Sequence, residues 1–403
     1  MIPHLFRTEW RKLTAVLCKT FGIEHVQFAE DIASETFVSA LETWPYKGVP
    51  ENPVAWLYSV AKNKTINHIQ RSHVFTNKIE PHVKNGLHQN EELLFDLSEQ
   101  NITDSQLQML FAICHPSLSQ EAQIGLALRI LCGFGIEEIA HAFLTNKETI
   151  SKRLFRAKEK LRTENVRIEV PPKTEIEKRL ETVLTTIYLV FSEGYYSETN
   201  DAVLREDLCL EAMRLAHLLI ENEQTNKPEV AALLSLMCFH ASRFAARRTV
   251  SGEMILYNGQ DHTLWNNELI SKGAFFLHQS AKGNRISRYH IEAGIAYWHT
   301  IRNDTSEKWE AILQLYNQLL MIHYSPIAAL NRTFALSKVK GKEEAIREAE
   351  KLNLKDNHYY FTLLGELYTG IDNNKARRNF EAALMVAKTK TDRLTIQAKI
   401  DRL

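Results

Sequence analysis

The sequence predicts an all-α protein: two small helical domains joined by a linker, followed by a large α-helical domain. Three observations carry that expectation. Gly (15) and Pro (10) are scarce in 403 residues, against 44% hydrophobic and 24% charged, which disfavours a turn-rich β architecture. Apolar residues recur at three- and four-residue spacing over most of the chain, the period of an amphipathic helix. Short polar turns divide this pattern into runs of about 12–20 residues, an ordinary helix length.

Phe6, Trp10, Leu13, Leu17 and Phe21 fall at helical spacing and define the first helix. A second amphipathic run covers 28–44, and Pro45 is expected to close it, because proline lacks the amide hydrogen a helix needs. Asn52 as N-cap and Pro53 in the first turn open a third helix that continues to Arg71. Periodicity then fails. Pro81 and Gly86 interrupt a polar stretch that reads as a linker over 76–104, with a short amphipathic turn at 91–97. Regularity returns at 105–113 and 120–131, and two further helices flank residues 144–146.

Pro171-Pro172 marks the clearest domain boundary. The expected domains are therefore 1–75, 105–165 and 172–403. Helices beyond the boundary are predicted near 176–193, 202–222, 228–248, 262–280, 288–302, 307–323, 326–339, 342–352, 357–370, 374–388 and 391–402. Ala345, Ala349 and Leu352 repeat the spacing of Ala376, Phe380 and Ala383. Leu364-Gly365 and Tyr368 stand at tetratricopeptide spacing, so the domain reads as tetratricopeptide-like from about 307.

Charge is balanced overall, 49 basic against 49 acidic residues, but unevenly distributed. Residues 147–162 hold seven basic and two acidic side chains, and 62–71 hold three basic and none acidic. Two basic islands on a neutral chain suit two separate contacts with one polyanion. The five cysteines are an odd number, widely spread and without a CxxC pair, which points to reduced thiols. Cys114-His115 has no second ligand pair nearby, so neither a metal nor a cofactor is expected. No run approaches the roughly 18 apolar residues of a membrane span, and Arg7, Glu9, Arg11 and Lys12 exclude a signal peptide. The expected location is the cytoplasm, with no membrane partner.

The second island carries a helix-turn-helix pattern. Ile136, Ile139, Ala140 and Phe143 make one apolar face, and small Ala140 allows close crossing by the next helix. Thr145 with Glu148 has capping-box spacing, which would start that helix. Ile150, Leu154, Ala157 and Leu161 form its buried stripe, leaving Ser151, Lys152, Phe155 and Arg156 outward. A basic outer face on a short helix after a tight turn suits the major groove. The candidate DNA contacts are Lys147, Glu148, Thr149, Ser151, Lys152, Arg153 and Arg156. The first island ends a helix that begins aromatic, and its cations and amides suit phosphates and unstacked bases. The candidates there are Trp56, Lys62, Asn63, Lys64, Asn67, Gln70 and Arg71.

At these residues the chain resembles the extracytoplasmic-function branch of the sigma-70 family. Residues 29–37, Ala-Glu-Asp-Ile-Ala-Ser-Glu-Thr-Phe, resemble the region 2 helix that docks on RNA polymerase. The resemblance implies that Asp31, Ile32, Glu35 and Phe37 bind core polymerase. Residues 53–71 are similar to the helix that opens and reads the −10 element, and 114–162 to region 4, which reads the −35 element. The implied partners are the β′ clamp and β flap of core RNA polymerase, and promoter DNA.

Cys114-His115-Pro116, Phe191-Ser192-Glu193-Gly194-Tyr195, Gln260-Asp261, Ser325-Pro326 and Leu330-Asn331-Arg332 resemble the subgroup with a fused, tetratricopeptide-like C-terminal extension. Ser192 stands where that subgroup would have Asn, and 262–267 are less charged than usual. The resemblance implies control of the sigma core in cis, with a regulatory protein or ligand as a possible partner of the extension. Candidate residues for that role are Glu193, His240, Arg243, Arg247 and Asp261. His240, Arg243 and Arg247 share one helix face, where ion pairing with residues such as Asp261 is expected. Glu193-Gly194 is expected to end a helix. A rival reading is a helix-turn-helix regulator with a ligand- or peptide-sensing repeat domain. An enzyme has no phosphate loop, nucleophile elbow or metal-spaced cluster to support it.

Overall fold

The computed structural model describes residues 2–71, 96, 98–143, 145–196, 202–247, 255, 259–387 and 390–403; most of the expected linker, 76–95 with 97, lies outside them, as does the turn expected at 91–97. Among the described residues every regular element is helical. The chain divides into two compact units. The first comprises Met1–Thr199 with Val203–Thr225, and the second Asn226–Leu403 with Asn200–Ala202.

The first unit opens with α1 (Ile2–Phe21), a 3-10 turn (Ile23–His25), α2 (Val26–Lys47) and α3 (Pro53–Arg71). Their apolar stripes converge: Trp10, Leu13 and Leu17 of α1, Ile32, Ala33 and Phe37 of α2, and Leu57 and Ala61 of α3 are all buried. Phe6 meets Phe37 edge-on at 5.0 Å, and the Trp10 indole donates to Ser34 Oγ at 3.1 Å. Asn52 caps α3 as expected, accepting from the Ala55 amide at 3.0 Å.

Pro45 does not close α2. The helix runs through it to Lys47 and ends at Gly48, whose φ of 82° only glycine adopts readily. A proline in the last turn forfeits one backbone bond. Continuing the turn keeps Trp44 buried against Trp56, 5.4 Å between ring centres.

Next come α4 (Glu99–Ile113), α5 (Gln120–Leu126), a π-helical turn (Ala127–Leu131), α6 (Ile136–Ala142) and α7 (Lys147–Thr163). Ser98 caps α4 through the Asn101 amide, so this helix starts before the periodic apolar run. The cap of α7 is Asn146, which accepts from the Thr149 amide at 2.8 Å; Thr145 instead closes the preceding turn with its amide on Ala140 O. Gly133, at φ 75°, sits where a Cβ would come within 3.1 Å of Arg7 O. The turn before α6 thus lies directly on the backbone of α1.

The unit continues past Pro171-Pro172 into α8 (Lys173–Tyr196) and α9 (Ala202–Glu221). The Arg179 guanidinium donates to Phe111 O at 2.8 Å, Thr186 to Gln123 Oε1 at 3.0 Å, and Arg214 to Leu131 O at 2.6 Å. Gly194 does not end α8, which runs on to Tyr196.

The second unit comprises α10 (Pro228–Ala241), α11 (Asn267–Ser280), α12 (Arg288–Trp298), α13 (Ser306–Ile322), α14 (Pro326–Lys340), α15 (Lys342–Leu352), α16 (His358–Tyr368), α17 (Asn373–Val386) and α18 (Lys390–Ile400). From α12 onward each helix packs on the next. Two apolar clusters result, one around Trp309, Ile312 and Leu336, the other around Ala345, Leu364 and Phe380, and Phe334 touches both. Gly365 is required at its place, since a Cβ there would meet the Phe380 ring at 2.5 Å. The stretch Pro228–Ala246 is apolar enough to cross a membrane, but 78% of it is buried inside the fold, as in a core helix.

Candidate polymerase and nucleic-acid interface

The helix α7 buries the apolar stripe expected from its sequence. Ile150, Leu154, Ala157 and Leu161 are buried, while Lys147, Glu148, Lys152 and Arg156 are exposed and Thr149, Ser151 and Arg153 half-exposed. Lys147 pairs with Glu137 of α6 at 2.7 Å; the ammonium holds the Glu137 carboxyl below its ordinary range. Thr149, Lys152, Arg153, Arg156 and Lys160 line a groove of about 420 Å³ whose opposite wall is Ser117, Leu118, Ser119 and Ala122. Its walls bring four cations and three hydroxyls together, which suits a phosphate backbone. Phe155 stands 66% exposed on the same face, where an aromatic edge could contact sugars or thymine methyls.

On α2 the structure separates the four expected docking residues. Asp31 and Glu35 are exposed, but Ile32 and Phe37 are 3% and 2% exposed and belong to the core. The outward stripe is Asp31, Glu35, Val38, Leu41, Glu42 and Tyr46, with Val38, Leu41 and Tyr46 each about half or more exposed. Sequence reasoning missed these apolar members, because in a helix packed on two sides the apolar count does not say which residues face out. On α3, Asn63 and Asn67 are exposed and Lys62 and Lys64 half-exposed, with Lys64 3.5 Å from Glu35. Trp56 is half-buried against Trp44. The side chains of Gln70 and Arg71 lie outside the described part.

Over 385 residues the chain is 33% identical to an uncharacterized protein of Rhizobium meliloti (strain 1021), covering 94% of this chain and 90% of that protein. Residues 5–73, which form α1 to α3, match the family described as Sigma-70 region 2. The chain belongs to the sigma-70 family. In this sigma-70 family member, α1 to α3 are the region that binds core RNA polymerase and promoter DNA, and the role is in transcription initiation. Residues 179–281, from within α8 to the end of α11, match a family of unknown function. No solved structure matches.

The candidate regulatory residues fall in both units. Glu193, in the first, is half-buried, and burial pushes its carboxyl up. In the second, His240 and Arg243 are held close, with Arg247, at the end of α10 and the turn after it. His299 and Lys308, about 60 residues further on, join them. Burial, then the charges of Arg243, Arg247 and His299, hold the His240 imidazole well below its ordinary range. Burial, then Arg243 and Lys308, push His299 down to about 3. Lys308 donates to Ile301 O at 2.8 Å. Asp261 is exposed and caps a short turn by accepting from the Thr263 amide at 2.8 Å and hydroxyl at 2.7 Å; it is those bonds first that lower its carboxyl. His299 and Lys308 left no sequence signal, since only the packing of α12 and α13 brings them to α10.

Proposed function

We propose that this chain is an extracytoplasmic-function sigma factor with a built-in regulator. It binds core RNA polymerase through the exposed stripe of α2, reads the −10 element with α3 and the −35 element with α7, and acts in the cytoplasm. The observation that carries this is the pairing of a region 2 match over α1 to α3 with a basic recognition helix whose cations are exposed beside a groove. The regulator is the C-terminal extension. In support, its first two helices bond to the same unit as the DNA-reading helices: Arg214 of α9 to Leu131 O and Arg179 of α8 to Phe111 O.

Run-off transcription with purified core polymerase and genomic promoter fragments tests the reading. The full chain is expected to give discrete transcripts, and a combined Lys152→Ala, Arg156→Ala variant about 10-fold or fewer of them, with a shallower salt dependence. DNA binding without any association with core polymerase would instead favour a regulator that never joins the enzyme. Removal of the second unit, by stopping the chain after Thr225, is expected to change promoter output. Output equal to that of the full chain would sink the regulatory role.

A further inference from the structure

The second unit contains a groove that none of the DNA or polymerase contacts uses. It lies where α11, the turn after it, α12 and α13 meet, and it encloses about 380 Å³. That is near the lower end of the usual range for binding pockets, a size for a small molecule and not for a folded partner. Its walls are mainly apolar: Leu277 of α11, Ile286 of the turn, Ile291 of α12 and Leu315 of α13. Four polar side chains stand among them, and two are engaged within the fold. The Ser280 hydroxyl donates to Leu277 O at 2.7 Å. His290 Nδ1 accepts from the Ser287 amide at 3.1 Å and from its hydroxyl at 2.8 Å, which leaves the ring hydrogen on Nε2, 3.3 Å from Ser280 O. The other two are Arg285 and Gln318, both exposed at the mouth.

Local packing fixes the walls. His290 ties the end of α11 to the start of α12. A Cβ on Gly283 would meet Pro228 Cγ at 2.6 Å, so the turn rests directly on the first residue of α10. A Cβ on Gly294 would come within 3.3 Å of Leu315 Cδ1, so α12 and α13 lie close there and that leucine forms the far wall. The surroundings are cationic. Residues 269–291 hold Lys272, Lys282, Arg285 and Arg288 and no acidic residue, and none of the described residues lining the groove is acidic. Lys272 pairs with Glu268 at 2.7 Å, and Arg288 donates to the Tyr289 hydroxyl at 2.9 Å. Beside Arg285, Ile286 is 64% exposed, a large apolar side chain at the mouth of an apolar groove.

We propose that this groove binds a small amphipathic carboxylate, whose apolar body lies on Leu277, Ile286, Ile291 and Leu315 and whose charge meets Arg285 and Gln318. Apolar walls with one guanidinium at the rim complement an apolar body with a single negative charge. The planar fork of Arg285 matches a carboxylate in shape as well as in sign. The site goes beyond the sigma reading and stands without it, because every wall belongs to the second unit.

Isothermal titration of the full chain with sodium octanoate tests the site, with hexanoate and octanol as probes of the two halves of the ligand. Octanoate is expected to bind saturably. Hexanoate should bind about tenfold more weakly, for the loss of two methylenes, and octanol about tenfold more weakly, for the loss of the charge. Arg285→Gln should erase the preference for octanoate over octanol and leave octanol binding unchanged. Ile286→Asp should abolish binding of both. Because Ile286 is exposed, that variant should keep the native circular dichroism and melting temperature. Equal affinity of the native chain for octanoate and octanol, or octanoate binding that Arg285→Gln leaves intact, would overturn the carboxylate assignment. Absence of saturable octanoate binding would overturn the site itself. If Ile286→Asp then also dissociated a dimer of the native chain, the groove would be an interface between copies. No arm needs polymerase, so failure of the native chain in transcription would refute the sigma reading separately.

Discussion

At the scale of single residues, most of the chemistry lies in how burial sets charge. His240 and His299 are kept neutral inside the second unit, far below the ordinary 6.5 for His299. The unfolded chain takes up protons on these imidazoles as pH falls below about 6.5, while the folded chain does not. The unfolded state therefore binds more protons, and stability falls as pH falls. For His299 the loss begins at about 6.5 and is complete only near 3. Urea unfolding of the full chain should show this as a decline of up to about 1.4 kcal/mol per pH unit for each histidine between pH 6 and 5. His299→Gln should flatten the slope. An equal slope in native and variant proteins would refute the assignment. Glu30 is the opposite arrangement, a buried side chain faced by two cations, Arg129 and Lys158.

At the scale of elements, caps decide where helices begin. Asn146 supplies the cap of α7, one residue after the Thr145 that capping-box spacing selects. The reason is local: the Thr145 amide is already committed to Ala140 O, which places the turn one residue later. Asn146→Ala should cost about 1 kcal/mol of stability and weaken binding to a −35 duplex, because the first turn of α7 carries Lys147 and Glu148. Thermal unfolding and fluorescence anisotropy measure the two effects. A loss of DNA affinity with no loss of stability would show that Asn146 itself touches DNA. Pro45 teaches a related lesson. Its forfeited backbone bond is small beside the burial of Trp44 against Trp56, so tertiary packing overrides the local stop signal.

At the scale of the whole molecule, the compact units do not follow the most visible punctuation in the sequence. The bonds from Arg179, Thr186 and Arg214 tie α8 and α9 to α4, α5 and the π turn. A chain ending after Pro172 would leave the Phe111 and Leu131 carbonyls without these donors and uncover the apolar surface beneath. It should unfold at a lower temperature than a chain ending after Thr225, or aggregate on expression. Circular dichroism and size-exclusion chromatography of the two truncations compare them directly. Equal stability would mean that α8 and α9 contribute nothing to the first unit. Such a result would also remove the physical link by which the extension reaches α4, α5 and the π turn.

Helical character, the buried stripe of α7 and the two basic islands were legible in the sequence. All three depend on short-range periodicity, which a helix expresses within one or two turns. Most extension helices fell within a few residues of expectation for the same reason, but the one expected over 228–248 ends at Ala241 and the one expected over 262–280 begins at Asn267. The sequence could not say which α2 residues face outward, because Ile32, Phe37, Val38 and Leu41 are equally apolar and only packing on α1 and α3 buries the first two. Nor could it bring His299 to His240, or Glu30 to Arg129 and Lys158. Those pairs are separated by about 60 to 130 residues, and no local pattern encodes a meeting at that distance. The all-α character was thus set by period and composition, whereas the meeting of Glu30 with Arg129 and Lys158 was decided by tertiary contact, which brings together side chains that lie far apart in the chain.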